Sequence, residues 1–129
     1  MTTRLLITGG ATGLGKSMAL AWAKNQKSEV NICVADINQS RGDATVAELQ
    51  ALGAKAFYQH CDITKQEDIK QLHTAINAQW QGVDVVINNA GVASGGSLQG
   101  ESIEQWQWIL DINLLGMVRV SQTFLADFK

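Results

Sequence analysis

The sequence has no proline, only two cysteines, a single tyrosine and no block of like charge. Each shortage excludes something. Without proline or a low-complexity stretch there is no mark of an internal linker, and 129 residues fit one domain. A chain of that size buries on the order of two-thirds of its unfolded surface, enough for a core without staples. Cys33 and Cys61 lie far apart, form no C-x-x-C pair and follow no secretory leader, so no disulfide framework is expected and the cytoplasm is the predicted compartment. The net charge of −2 is spread along the chain, which lacks the basic footprint of a nucleic-acid binder. No apolar run approaches the roughly 20 residues that span a bilayer, so no membrane partner is expected.

What is present begins with Ile7-Thr8-Gly9-Gly10-Ala11-Thr12-Gly13-Leu14-Gly15-Lys16-Ser17. An apolar run, Arg4 to Ile7, precedes it, and Leu14, Met18, Ala21 and Trp22 follow at helical spacing, which predicts a tight strand-to-helix turn. Such a turn suits phosphate: glycine lets a ligand approach the backbone, and the helix start offers unpaired N–H groups and a positive dipole end. Two patterns fit it. Gly10 to Ser17 satisfies G-x-x-x-x-G-K-[ST], the P-loop of nucleotide hydrolases, in which Lys16 reaches the phosphates and Ser17 holds Mg²⁺. Thr8-Gly9-x-x-x-Gly13-x-Gly15 resembles instead the T-G-x-x-x-G-x-G coenzyme loop of the short-chain dehydrogenase/reductase family. The loop alone leaves both open.

The remaining pattern alternates strand and helix. Helix one is expected over about 13–27, facing inward with Leu14, Met18 and Ala21 or Trp22. Val30 to Ala35 is a β-branched run ending at Asp36. A second helix is expected from Ser40, a candidate N-cap, to Leu52, with Val46 and Leu49 inward and Gly53 as its C-terminal glycine. Lys55 to Cys61 is a third strand. Asp62 to Thr64 begins a third helix reaching Trp80, with Ile69, Leu72, Ile76 and Trp80 on its inner face. Val83 to Asn88 is the most apolar strand, and Ser102 to Gln105 resembles a capping box opening a long helix with Trp106, Ile109, Leu110, Leu114, Val118 and Phe124 near one face. Strands each followed by a helix predict an α/β fold, a Rossmann-type doubly wound parallel sheet, in a single domain over 1–129.

Asp36 follows Gly15 at about the 20-residue spacing at which a dinucleotide fold places an acid on the adenosine ribose. The same carboxylate would repel a 2′-phosphate, and it could equally be the Mg²⁺-positioning aspartate of a P-loop enzyme. The further motifs Asn88-Asn89-Ala90-Gly91, Asp62-Ile63-Thr64 and Asp111-Ile112-Asn113-Leu114, in this order and spacing with the glycine loop, resemble the short-chain dehydrogenase/reductase family across nearly the whole chain. The P-loop reading requires none of them.

The resemblance implies an oxidoreductase that transfers hydride between a nicotinamide coenzyme, NAD before NADP, and a small alcohol or carbonyl substrate. It implies that Thr8, Gly9, Gly13, Leu14 and Gly15 form the coenzyme loop and Asp36 the ribose site. Asp62 and Ile63 would form the adenine pocket, and Asn89, Ala90 and Gly91 the wall beside the nicotinamide ribose. Asn113 resembles the helix asparagine whose backbone carbonyl holds a water in the family's proton relay, and a break in helical bonding there would free it. The family's catalytic serine and its Y-x-x-x-K are absent. Tyr58 is most simply a strand aromatic, while Ser94 and Ser97 fall in a loop on the substrate side. His60-Cys61-Asp62 invites a metal reading, but strand neighbours point to opposite faces, and none is expected. His73 needs no role. The segment from Ser102 onward, rich in Trp106, Trp108, Met117 and Phe124, is expected at a homo-oligomer interface, and its end in mid-pattern, without a cap, predicts a chain cut short.

Overall fold

The computed structural model describes residues 2–25, 28–92 and 100–128; the expected loop serines Ser94 and Ser97 lie outside them. Strands β1 (Thr3–Thr8), β2 (Val30–Asp36), β3 (Lys55–His60) and β4 (Val85–Asn88) form one parallel sheet in the order β3-β2-β1-β4. Helices α1 (Gly13–Asn25), α2 (Gln39–Ala51) and α3 (Gln66–Trp80) make the crossovers. Beyond β4 a helical rod runs through α4 (Ile103–Leu110), a π-helical turn (Asp111–Gly116), α5 (Met117–Phe124) and a 3-10 turn (Leu125–Asp127). This is the expected Rossmann-type sheet.

Strand periodicity divides the core into two layers, because successive side chains leave opposite faces. Leu5, Ile7, Ile32 and Val34 pack with Ala19 and Leu49 on one face; Leu6, Cys33 and Ala35 pack with Ile69, Leu72, Ile76, Val120 and Phe124 on the other. β4 is bound to β1 by more than the ladder. Arg4 donates through Nε and Nη2 to both oxygens of Asp84, at 3.1 and 2.8 Å, and through Nη1 to the Trp80 carbonyl.

Several boundaries differ from expectation. α1 turns Gly15 and Ala19 inward, and Leu14 is 69% exposed, because the helix lies too close to the loop for large side chains on that face. The cap of α2 is Asn38, whose Oδ1 accepts from Arg41 N at 3.0 Å; Ser40 donates its hydroxyl to the same oxygen instead. α3 starts at Gln66, not at Asp62, since Asp62 closes a local turn with Thr64 that competes with helix. β4 starts at Val85, two residues later than expected, after the Arg4–Asp84 pair. His73 has company after all: Nε2 lies 3.2 Å from Asp127 Oδ2 and the ring meets Phe124 edge-on.

The rod is held by Gly116, Val120 and Phe124, while Leu110, Leu114 and Val118, expected inward, are exposed. Spacing by four selects this stripe, and its glycine is invisible to an apolar count. Ile103–Asp127 also forms one helical stretch of 25 residues, long and apolar enough by length and composition to cross a membrane. A search for an unbroken apolar run passes over it because Asn113 and Arg119 interrupt it. Val120 and Phe124 lay this helix on α3, while most of its apolar stretch stays exposed.

Candidate coenzyme site

The glycine turn is held from behind by the segment after β4. Thr8 Oγ accepts from the backbone N–H of both Asn89 and Ala90, each at 3.1 Å, and Asn89 Nδ2 donates to the Gly9 carbonyl at 3.1 Å. Gly9 takes φ +66° and donates its N–H to Ala35 O, where a side chain would be strained. Gly15 is the point of closest approach: a Cβ there would fall 2.4 Å from both Asn89 Nδ2 and Gly9 O. Gly13, with φ +59°, has nothing within 4 Å of a Cβ position among the described residues, so its backbone is open on that side.

Asp36 ends β2 beside this turn. Its Oδ2 accepts from Ala11 N at 3.2 Å and its Oδ1 from Asn38 N at 3.0 Å, which leaves further lone pairs on both oxygens. Across the cleft, Asp62 Oδ1 accepts from the Thr64 amide and hydroxyl at 2.9 and 2.7 Å. Burial pushes the Asp62 carboxyl up, but those two bonds, with Lys65 and His60 nearby, hold it below the ordinary carboxylate value. Ile63 is seated by the rod: Gly116 passes so close that a Cβ would meet Ile63 Cδ1 at 2.5 Å, and Arg119 donates to the Ile63 carbonyl at 3.1 Å and to the Asp111 carboxylate.

These groups surround a cleft of about 370 Å³ at the carboxyl edge of the sheet. Of the residues singled out in the sequence, Gly9, Asp36, Asp62, Ile63, Asn89, Ala90 and Gly91 line it. Thr8 and Gly15 brace it from behind, and Gly13 and Leu14 lie outside the lining. Asn113 stands one step back: its Oδ1 accepts from Val92 N and its Nδ2 donates to Val92 O, both at 2.7 Å, within the π-helical turn that interrupts α-helical bonding. Ile37, Cys61 and Ile112 also line the cleft and were not foreseen. Ile37 and Ile112 each adjoin a motif residue, Asp36 and Asn113, which is the signal that could have found them. Burial, then the charges of Asp68 and Asp62, pushes the Cys61 thiol up to about 12.

The position of Lys16 agrees with the dinucleotide reading of the loop. Its Nζ pairs with Glu48 of α2 at 2.8 Å, so it lies along the helix pair rather than over the turn where a P-loop lysine must meet phosphate. With the lysine withdrawn, an acid beside the turn and open backbone at Gly13, the residues fit a dinucleotide. The class is a Rossmann nucleotide-binding half-domain.

Residues 3–129 match the short chain dehydrogenase family. The chain belongs to that family. It is 37% identical over 113 residues to a 2,5-dichloro-2,5-cyclohexadiene-1,4-diol dehydrogenase of Sphingobium indicum, covering 87% of this chain and 43% of that protein. It is 32% identical over 112 residues to a 3beta-hydroxysteroid dehydrogenase of Mediterraneibacter gnavus, covering 85% and 39%. An alcohol dehydrogenase from the archaeon Thermococcus sibiricus, solved with 5-hydroxy-NADP, superposes with a TM-score of 0.91 at 28% identity, covering 98% of this chain and 53% of that one. NAD⁺-bound xylitol dehydrogenase gives a TM-score of 0.90 at 22% identity, covering 97% of this chain and 47% of that one, a likeness of fold alone. The chain therefore spans less than half the length of these two curated relatives.

Proposed function

We propose that the whole protein is an oxidoreductase that uses NAD in preference to NADP to interconvert a small alcohol and its carbonyl, and that this stretch binds and orients the coenzyme. The observation that carries the reading is the convergence of the glycine turn, Asp36, Asp62-Ile63 and Asn89-Ala90-Gly91 on one cleft. The nicotinamide, when bound, supplies the hydride chemistry. Gly9, Gly13 and Gly15 give the pyrophosphate close access to backbone N–H groups, with Leu14 at the outer edge of that turn. Asp36 accepts the adenosine ribose hydroxyls with the lone pairs left by Ala11 and Asn38. Ile63 and Asp62 flank the adenine, and Asn89, Ala90 and Gly91 the nicotinamide ribose.

NAD is favoured because the Asp36 carboxylate repels a 2′-phosphate and Thr12, before Gly13, is not basic. Asn113 has its side chain committed to Val92, so its part in a proton relay falls to its backbone carbonyl in the π-helical turn. The one tyrosine, Tyr58, donates its hydroxyl to a backbone carbonyl and is no acid/base for substrate. The 129 residues alone therefore bind coenzyme without turnover. Exposed Trp108, Leu114, Leu115 and Met117 suit a homo-oligomer interface, and two buried free thiols suit the cytoplasm.

Titration of the full-length protein with NADH and with ATP·Mg²⁺ tests the assignment. NADH binding is expected; Mg²⁺-dependent ATP binding without it would sink the reading. Sedimentation at micromolar concentration tests the interface, which a monomer would remove.

A further inference from the structure

Asp36 is held at its backbone as well as at its carboxylate. Its carbonyl accepts from Tyr58 Oη at 2.6 Å and from Cys61 N at 3.1 Å. The peptide that follows Asp36 is where the chain leaves the sheet. One peptide further on, beyond Ile37, the Asn38 N–H holds Asp36 Oδ1. Tyr58 is seated for this contact. Its ring lies on Gly42 of α2, where a Cβ would come 2.2 Å from Cδ1 and 2.4 Å from Cε1, so no side chain fits beneath it.

α2 reaches the other side of the acid too. Thr45, fully buried, donates to the Ala11 carbonyl at 3.0 Å, and Ala11 N is the donor to Asp36 Oδ2. Asp36 thus closes a ring of contacts through Ala11, Thr45, Gly42 and Tyr58. Burial, followed by the charges of Asp36 and Asp43, raises the Tyr58 phenol above its ordinary value, so it remains a donor at neutral pH.

We propose that Tyr58 is a positioning residue for coenzyme discrimination: from its seat on Gly42 it fixes the peptide after Asp36, and with it the angle at which the carboxylate meets the adenosine ribose. The margin between NADH and NADPH depends on that angle, because a carboxylate free to turn aside repels a 2′-phosphate less. The inference rests on the ribose role proposed for Asp36. A ring that served only as packing would need no hydroxyl, and Phe keeps the ring on Gly42 while removing the donor.

The test is a set of fluorescence titrations with NADH and NADPH on the full-length protein. The forms compared are the unaltered protein, Asp36→Ala, Tyr58→Phe, Gly42→Ala and the Tyr58→Phe/Gly42→Ala pair, each at a temperature where thermal unfolding shows it folded. Tyr58→Phe is expected to reduce the preference for NADH about fivefold, the scale of one hydrogen bond. Gly42→Ala, which displaces the ring, should reduce it similarly, and the pair no further, since both break one bond. Additive losses in the pair would overturn the shared-bond argument. A shift with Asp36→Ala, joined to an unchanged ratio and a lowered Tm with Tyr58→Phe, would make Tyr58 mere packing and leave the ribose assignment standing. An unchanged ratio with Asp36→Ala would remove the ribose assignment itself, and the inference with it. Should Gly42→Ala fail to fold, Tyr58→Phe and Asp36→Ala decide.

Discussion

Gly15→Ala sets two effects of known size against each other. Gly15 lies within α1, where alanine is favoured over glycine by about 1 kcal/mol. Against that, the new methyl would sit 2.4 Å from the Gly9 carbonyl oxygen and 2.4 Å from Asn89 Nδ2. The carbonyl is backbone and cannot swing aside. Relief requires α1 to back away from the turn, or Asn89 to release Gly9 O and with it a 3.1 Å hydrogen bond. Overpacking of this kind costs about 1–3 kcal/mol and the lost bond about 1 more, so the net destabilisation is about 1–3 kcal/mol. For a protein of its relatives' length, more than twice this chain, each kcal/mol lowers Tm by roughly 2–4 °C. Binding suffers further, because backing α1 away displaces the N–H groups aimed at phosphate; NADH affinity should fall by at least about tenfold, or 1.4 kcal/mol. Gly13→Ala is the control. For stability it meets nothing within 4 Å among the described residues and pays for its positive φ of +59°, about 1–2 kcal/mol; its NADH affinity should fall too, since its open backbone faces the coenzyme. Thermal unfolding and NADH titration on the full-length protein read both effects. A Gly15→Ala variant that gains stability and binds NADH normally would refute the close-approach argument.

Three further outcomes are expected. The Asp62 carboxyl is held below its ordinary value, so its contribution is complete above the unfolded pKa and disappears as pH falls through the folded one. Thr64→Val removes one of its donors and should move acid unfolding to higher pH, and an unmoved acid transition would contradict this. Gln81 closes α3 at φ +62°, so Gln81→Gly should stabilise by about 0.5–1 kcal/mol through relief of left-handed strain; a lower Tm would count against it. Cys33 and Cys61 are buried, and burial raises both thiols, so neither should react with a thiol reagent until the protein is unfolded. Rapid labelling of the native protein would show that the cleft wall at Cys61 opens.

The sheet and most of the cleft were legible because they rest on local patterns. β-branched runs made the strands, Gly53 took φ +94° after α2, and Asp36, Asn89-Ala90-Gly91 and the glycine turn each stood at a strand's carboxyl end. What escaped was what contact distance decides. α1 hides its inner face in Gly15 and Ala19, and the rod hides part of its own in Gly116, so periodicity of large apolar residues found Trp22 and Phe124 but misplaced Leu14, Leu110, Leu114 and Val118. Asn38 and Ser40 are both cap formers two residues apart, and only the path of the chain out of β2 selects the first. Tyr58 read as a strand aromatic because nothing in the sequence shows that Gly42 clears its ring a way to Asp36.

The order of strands in the sheet has a consequence in time. β1, near the sheet's centre, is made first and pairs at once with β2 as that strand emerges, but its other neighbour is β4, and Arg4 waits 80 residues for Asp84. At the usual pace of about 5–20 residues per second, one flank of β1 stays open for roughly 4–16 s of synthesis. Thr8 and the Gly9 carbonyl find their partners only in Asn89 and Ala90. A nascent chain that stops short of Asn89 thus already carries the glycine turn and the acid but not the clamp that sets one against the other. On the ribosome the cleft is the last part of this sheet to become a cleft, and until then β1 is the strand most exposed to the wrong neighbour.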